Sequence, residues 1–206
     1  MIYELSHPLK DHKISLLRST DTNSKLFREL TNELTQMLLL EATKTLPLTD
    51  IPVTTPLKSI TGKKIATDIT IIPILRAGLG MLNACLETLP FAKSGFIGLA
   101  RNEETLEPET YYEKFPAGMK DDQVFLVDPM LATGGSLVAA IEYLEQAGIK
   151  QEQITVLALL AAPEGIKTVE KKFKGPVFVA QIDENLNEKG YIVPGLGDAG
   201  DRIFKS

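Results

Sequence analysis

Val127-Asp128-Pro129-Met130-Leu131-Ala132-Thr133-Gly134-Gly135-Ser136 is the stretch on which the fold turns. Ahead of it, Val124-Phe125-Leu126-Val127 is a short apolar run of the kind that forms a buried strand. Behind it, the chain reads as a helix from Ser136 that stops at Gly148. The same rhythm continues outward in both directions. Ile69 to Leu75 is a β-branched strand run, and Gly78 to Leu89 suits a helix. Gly95 to Leu99 is a short strand. Ile154 to Leu160 is a fourth strand, Glu164 to Phe173 a helix and Val177 to Ala180 a fifth strand. Strands alternating with helices predict an α/β protein with a mostly parallel central sheet and helices on both faces. No repeat, linker or low-complexity tract divides the chain, so residues 1–206 read as a single domain.

Nearer the N-terminus, Leu26, Phe27, Leu30, Leu34, Met37 and Leu38 recur at helical spacing over Asn23 to Lys44, with Asn23 as cap. Pro47, Pro52 and Pro56 then break the chain into extended pieces. One segment disobeys the rhythm. Asn102 to Asp122 carries seven acidic residues, two Pro and no clean period. So long a stretch is either an element hidden from this reading or a functional lid.

Composition narrows the class. With 22 Lys plus Arg against 27 Asp plus Glu, a net charge of −5 and 44 % hydrophobic residues, the balance is that of a globular protein. No apolar run approaches a membrane span, and no secretory signal is visible. The single Cys85 cannot form an internal disulfide, which points to a cytoplasmic setting. The acid excess speaks against nucleic acid and membrane surfaces as partners, but not against a small anionic substrate.

In open α/β sheets, ligands bind beyond the carboxyl ends of the strands. Here those ends are followed by Arg76-Ala77-Gly78, by Arg101, and by Asp128 with the Gly-rich turn. Gly134 and Gly135 let backbone approach a ligand, and the helix start near Ser136 offers free N–H groups and a positive dipole end. Thr133 and Ser136 add hydroxyls, while Asp128 suits vicinal ribose hydroxyls or a metal. Turn plus acid suggest a sugar phosphate; a plain left-handed turn with a capping Ser is the ordinary alternative. Arg76 and Arg101 carry planar donors that match a diphosphate, though either is also an ordinary surface residue.

Gly195-Leu196-Gly197-Asp198-Ala199-Gly200 matches a dinucleotide fingerprint in letters only, since no following strand and acid fit before Ser206. Tyr191 to Arg202 reads instead as a docked Gly-rich loop. Cys85, between Ala84 and Leu86, reads as inert core, and His7 and His12 as structural or solvated. No Ser-His-Asp or Cys-His set appears, so a mechanism without a protein nucleophile is preferred.

VDPMLATGGS at Val127 to Ser136 resembles the phosphoribosyl-diphosphate loop of the type I phosphoribosyltransferases, in the variant of the uracil phosphoribosyltransferase family. His7-Pro8-Leu9, Thr55-Pro56-Leu57, Pro73 to Met81, Glu103 to Leu106, Ala161 to Gly165 and Tyr191 through Arg202 resemble the same family, in order along essentially the whole chain. One departure is Lys205, where the family usually has Gly after the Phe.

The resemblance implies transfer of the phosphoribosyl group to uracil, giving uridine monophosphate and diphosphate in pyrimidine salvage, with Mg²⁺ as cofactor. It implies that Arg76 and Arg101 bind diphosphate and Asp128 the ribose. The loop Pro129, Met130, Leu131, Ala132, Thr133, Gly134, Gly135 and Ser136 would hold the rest of the phosphoribosyl diphosphate. Ile192, Gly197 and Ala199 would read uracil, with Asp198 facing both substrates and the metal. It further implies a homo-oligomer, dimer or larger, and a GTP effector in some members. The alternatives are a phosphoribosyltransferase for another base and an RNA-binding pyrimidine regulator of the same fold.

Overall fold

The computed structural model describes residues 1–101 and 108–205. The chain opens with strand β1 (Ile2–Glu4) and helix α1 (Pro8–Arg18), then the longer α2 (Ser24–Ala42). Asn23 caps α2 by accepting the Leu26 N–H at 3.1 Å, as its position in the sequence predicts. A hairpin of β2 (Leu48–Thr54) and β3 (Ser59–Ile65) follows, built from the proline-punctuated segment. Next come β4 (Ile69–Leu75), α3 (Leu79–Thr88), β5 (Lys93–Ser94), β6 (Phe96–Arg101) and β7 (Pro108–Lys114). Then β8 (Gln123–Val127), β9 (Met130–Leu131), α4 (Gly135–Gln146), β10 (Ile154–Ala161) and α5 (Pro163–Lys172) complete the middle of the chain. The C-terminal part holds β11 (Val177–Ile182), β12 (Asn185–Leu186), β13 (Ile192–Val193) and α6 (Ala199–Phe204).

The main sheet runs β1-β11-β10-β8-β4-β6-β7, with β5 on β4 and β9 on β10. Its pairs are parallel except β6 with β7. All eight residues of β10 are buried, which is what a strand covered on both faces requires. Alternate residues of each strand serve opposite cores. Phe125 and Val127 of β8 pack with Phe27, Leu34 and Leu38 of α2 and with Met81 of α3. Val124 and Leu126 pack on the other face with Leu137 and Ile141 of α4 and Val169 of α5.

Several elements went unread in the sequence. In α1 only Lys10, Ile14 and Leu17 are buried, too thin a stripe to stand out; His7 caps it through Nδ1, and Pro8 occupies its first turn. The unpatterned 102–122 segment contains β7, paired antiparallel with β6, and a 3₁₀ turn at Met119–Asp121. Its residues from 108 on are therefore packed structure and not a structureless loop. Tyr111 and Tyr112 both stay exposed on this edge strand, so no in–out alternation was there to be read. Residues 102–107 lie outside the described residues.

Candidate active site

The site forms at the carboxyl edge of the sheet, where β4, β8, β10 and β11 deliver their following residues. After β8 the chain turns through Asp128 and runs alongside β10. Leu159 and Leu160 donate backbone N–H groups to the Pro129 carbonyl at 3.1 and 3.0 Å, and Ala162 donates to Leu131 O at 2.9 Å. Met130 and Leu131 register against Leu160 and Ala161. These bonds fix the loop before it meets a ligand. Gly134 then takes φ +85°, and a Cβ there would meet Gly165 O at 2.7 Å. The glycine is thus required by close approach to α5 and by its left-handed backbone.

The helix α4 begins at once. Its first backbone bond runs from Val138 N–H to Gly134 O at 3.0 Å, so the N–H groups ahead of it are not used by the helix. With the exposed Thr133 and Ser136 they surround a cavity of about 70 Å³, lined by Asp128, Met130, Leu131, Ala132, Thr133, Gly134, Ser136 and Leu137. A small, partly open cavity with main chain and hydroxyls at a helix N-terminus is suited to one tetrahedral oxyanion.

A second cavity, of about 250 Å³, adjoins the first through Asp128, Met130 and Ala132. Its far wall comes from Ala77 and from the C-terminal loop: Ile192, Gly197, Asp198 and Ala199, with Gly190, Tyr191 and Gly200. The loop is docked, since Ile192, Leu196, Ala199 and Ile203 all join the α2-side core. Asp198 caps α6 by accepting the Asp201 N–H at 2.9 Å. The peptides Leu75–Arg76 and Val193–Pro194, which flank this cavity in sequence, are both cis.

Asp128 stands where the two cavities meet. Burial pushes its carboxyl from 3.8 up to about 7, opposed by the Met130 N–H, which donates to Oδ1 at 3.3 Å. A carboxylate so poorly supplied with donors is ready to accept from hydroxyls brought by a ligand.

The other expected residues take varied places. Arg76 is exposed beyond β4, with no ion-pair partner among the described residues, next to the Ala77 that lines the larger cavity. Arg101 ends β6 at the same edge of the sheet; its side chain lies outside the described residues. Pro129 and Gly135 line neither cavity: Pro129 anchors the loop, and Gly135 is the first residue of α4. Ala77 and Gly190 were not singled out. Ala77 had a signal in its position after β4, and Gly190, at φ +81°, closes a turn in which Asn187 Oδ1 accepts from Lys189 and Tyr191.

No group of three or more His, Cys, Asp or Glu is placed to hold a metal among the described residues. Asp128 and Asp198 do line the same cavity. One or two carboxylates completed by substrate phosphates is the usual donor set for Mg²⁺. The residues present fit an ion that arrives with a phosphate ligand.

A mostly parallel α/β sheet with a Gly-rich turn and a strand-end carboxylate at its carboxyl edge is the architecture of the type I phosphoribosyltransferases. The fold is shared with adenine phosphoribosyl transferase from Trypanosoma brucei, at TM-score 0.58 and 14 % identity, covering 96 % of this chain and 87 % of that one. The family model for uracil phosphoribosyltransferase matches residues 4–206, and the chain belongs to that family. It is 48 % identical over 202 residues to the uracil phosphoribosyltransferase of Limosilactobacillus fermentum, covering 97 % of this chain and 96 % of the relative. It is 50 % identical over 209 residues to that of Thermoanaerobacter sp., covering 98 % and 97 %. The solved AQ2163 protein of Aquifex aeolicus superposes at TM-score 0.90 with 45 % identity, covering 99 % of this chain and 98 % of that one.

Proposed function

We propose that the protein transfers the 5-phosphoribosyl group of 5-phosphoribosyl 1-diphosphate to uracil, giving uridine monophosphate and diphosphate. The observation that supports this reading is the pair of adjoining cavities that share Asp128, Met130 and Ala132, which we read as sites for phosphate, ribose and base in turn. The 5′-phosphate takes the smaller cavity, where main-chain N–H groups of the first turn of α4 and the hydroxyls of Thr133 and Ser136 meet it. Asp128 accepts from the ribose hydroxyls. Ile192, Gly197 and Ala199 present main chain to uracil.

As the bond from uracil N1 to the anomeric carbon forms, the bond from that carbon to the diphosphate oxygen breaks and the N1 proton is released. Positive charge grows on the ribose and negative charge on the leaving group. Arg76 and Arg101 stabilise the latter, which is positioning and electrostatics without a covalent intermediate. Asp128 and Asp198 are the carboxylates that would share Mg²⁺ with the diphosphate. When bound, the ion neutralises charge on the leaving group.

An oligomer, dimer or larger, and a GTP effector belong to the same reading. Leu40 of α2 and Leu48 and Leu57 of the β2–β3 hairpin are 64 %, 61 % and 95 % exposed, apolar surface that an assembly would cover. No helix among the described residues is long and apolar enough to cross a membrane. Cys85 is buried and burial pushes its thiol up to about 12, so it is an unreactive core residue; a lone cysteine with no partner for a disulfide accords with the cytoplasmic setting we propose. Calorimetric titration with phosphoribosyl diphosphate and Mg²⁺ tests the reading. Wild type should bind, and in steady-state assays with uracil Arg76→Ala should lose about 100-fold in kcat/KM, on the order of losing one preorganised donor. Absence of binding by wild type would refute it.

A further inference from the structure

Outside the two cavities, the most constrained polar cluster in the described molecule is an ion pair that reaches into the C-terminal loop. Arg18 ends α1 and Asp183 follows β11; their side chains are 22 % and 2 % exposed. Arg18 donates through Nη1 to Asp183 Oδ2 at 2.8 Å and through Nη2 to Oδ1. Both main-chain polar groups of Gly195 join this pair. Its N–H donates to Asp183 Oδ2 at 3.0 Å, and its carbonyl accepts from Arg18 Nη1 at 2.8 Å. The next carbonyl, Leu196 O, accepts from Arg202 Nη1 at 3.0 Å. Arg202 is itself held by Leu17 O at 2.7 Å and Ser19 O at 2.6 Å, and its guanidinium lies 4.4 Å from the centre of the Phe27 ring.

Three backbone groups of Gly195 and Leu196 are therefore tied to the end of α1, to the residue after β11 and to α6. The residues on either side, Ile192 before and Gly197 to Ala199 after, are those that line the larger cavity. The charges of Arg18 and Asp183 satisfy each other, so neither is aimed at a ligand. We infer that the Arg18–Asp183 pair, with Arg202, is a positioning device that fixes the Ile192–Ala199 main chain and thereby sets the choice of base. This rests on the proposal that this loop binds uracil. A main-chain reader discriminates only if its donors and acceptors cannot shift to suit a competitor. Gly195 and Gly197, at φ +62° and +82°, would leave the loop adjustable without such ties.

The test is steady-state kinetics of the full-length enzyme. Arg18→Gln and Asp183→Asn should raise KM for uracil about 10- to 100-fold, with KM for phosphoribosyl diphosphate changed less than about twofold, as expected for lost charge-assisted bonds at one subsite. Discrimination against cytosine should fall with it. Arg18→Lys keeps the charge but not the fork, so its uracil KM should lie between. If the first two variants prove insoluble, Arg18→Lys decides. Asp122→Asn, at the opposite edge of the sheet where Asp122 accepts from Thr70 and Lys93, is the control. It should lower thermal stability and leave both KM values unchanged. Folded Arg18 and Asp183 variants with unchanged uracil KM, or with both KM values raised equally, would overturn the inference. Gly197→Val separates the two claims: its Cβ meets no atom within 4 Å, but at φ +82° any side chain strains the backbone, so the variant perturbs the loop at the cavity itself and leaves Arg18 and Asp183 in place. If it leaves uracil KM unchanged, the base loop is misassigned and the inference falls too. If it alone raises uracil KM, the base loop stands and only the positioning role is lost.

Discussion

Asp128 carries a negative charge at a position where folding disfavours one. Its folded carboxyl titrates at about 7 against 3.8 unperturbed. Between those values the native state holds a proton that the unfolded state has released. Stability from this group is therefore full below about pH 4 and is lost as pH rises to about 7. Asp128→Asn should raise the unfolding free energy at pH 8, by at most about 4 kcal/mol for three pKa units, and with it the midpoint, and have little effect at pH 4. The same variant should weaken phosphoribosyl-diphosphate binding about 10- to 100-fold, because a charged acceptor is gone. Calorimetry at both pH values checks the pair of effects, and an unchanged midpoint at pH 8 would contradict the burial argument.

Lys205 is the other telling residue. It caps α6 at φ +58°, the sole non-glycine with positive φ among the described residues. The departure from the family Gly was visible in the sequence, and the left-handed backbone explains why Gly suits the position. Lys205→Gly should stabilise the fold by about 1 kcal/mol in denaturant titration. The place of Asp128 on both cavities was legible because it directly follows an apolar strand run; Arg76 also follows one, but it lines neither cavity. Arg18 and Asp183 were not legible, because their bond joins residues 165 apart and neither sits in a motif.

At the scale of elements, the Gly-rich turn and α4 depend on α5. A side chain at Gly134 would collide with the Gly165 carbonyl and force a strained backbone, so Gly134→Val should displace the turn. We expect affinity for phosphoribosyl diphosphate to fall more than about tenfold, together with a loss of stability of about 1–3 kcal/mol from overpacking and strain. Titration and thermal unfolding of one sample read both; wild-type affinity would mean that the turn does not shape the phosphate site. The sequence suggested that a side chain there would block ligand approach; the structure places the obstruction on the α5 side. β4, β8 and β10 were legible because burial on both faces leaves uninterrupted apolar runs, and β6 and β11, partly buried, because each still carries a short apolar run. The β2–β3 hairpin and β7 escaped because they are largely exposed, and exposed strands need no apolar pattern.

For the whole molecule, the sheet gathers loops from distant parts of the chain at one edge and backs them with two apolar cores. The parallel α/β architecture follows from the strand–helix alternation, and the location of the site from the strand ends. The ties that hold the C-terminal loop, and the way Asp128 divides two cavities, are tertiary facts with no local signature. Uracil presents two carbonyls flanking an N–H, whereas cytosine replaces one carbonyl with an amino group. A fixed main-chain reader then meets a donor with a donor, a mismatch that can cost about 10⁴-fold. The most direct measurement offers the enzyme uracil, cytosine, hypoxanthine and orotate in turn, with phosphoribosyl diphosphate and Mg²⁺, and follows nucleotide and diphosphate release. We expect uridine monophosphate and diphosphate in equal amounts from uracil, and no nucleotide from the other three. Nucleotide from another base with none from uracil would contradict the proposed function.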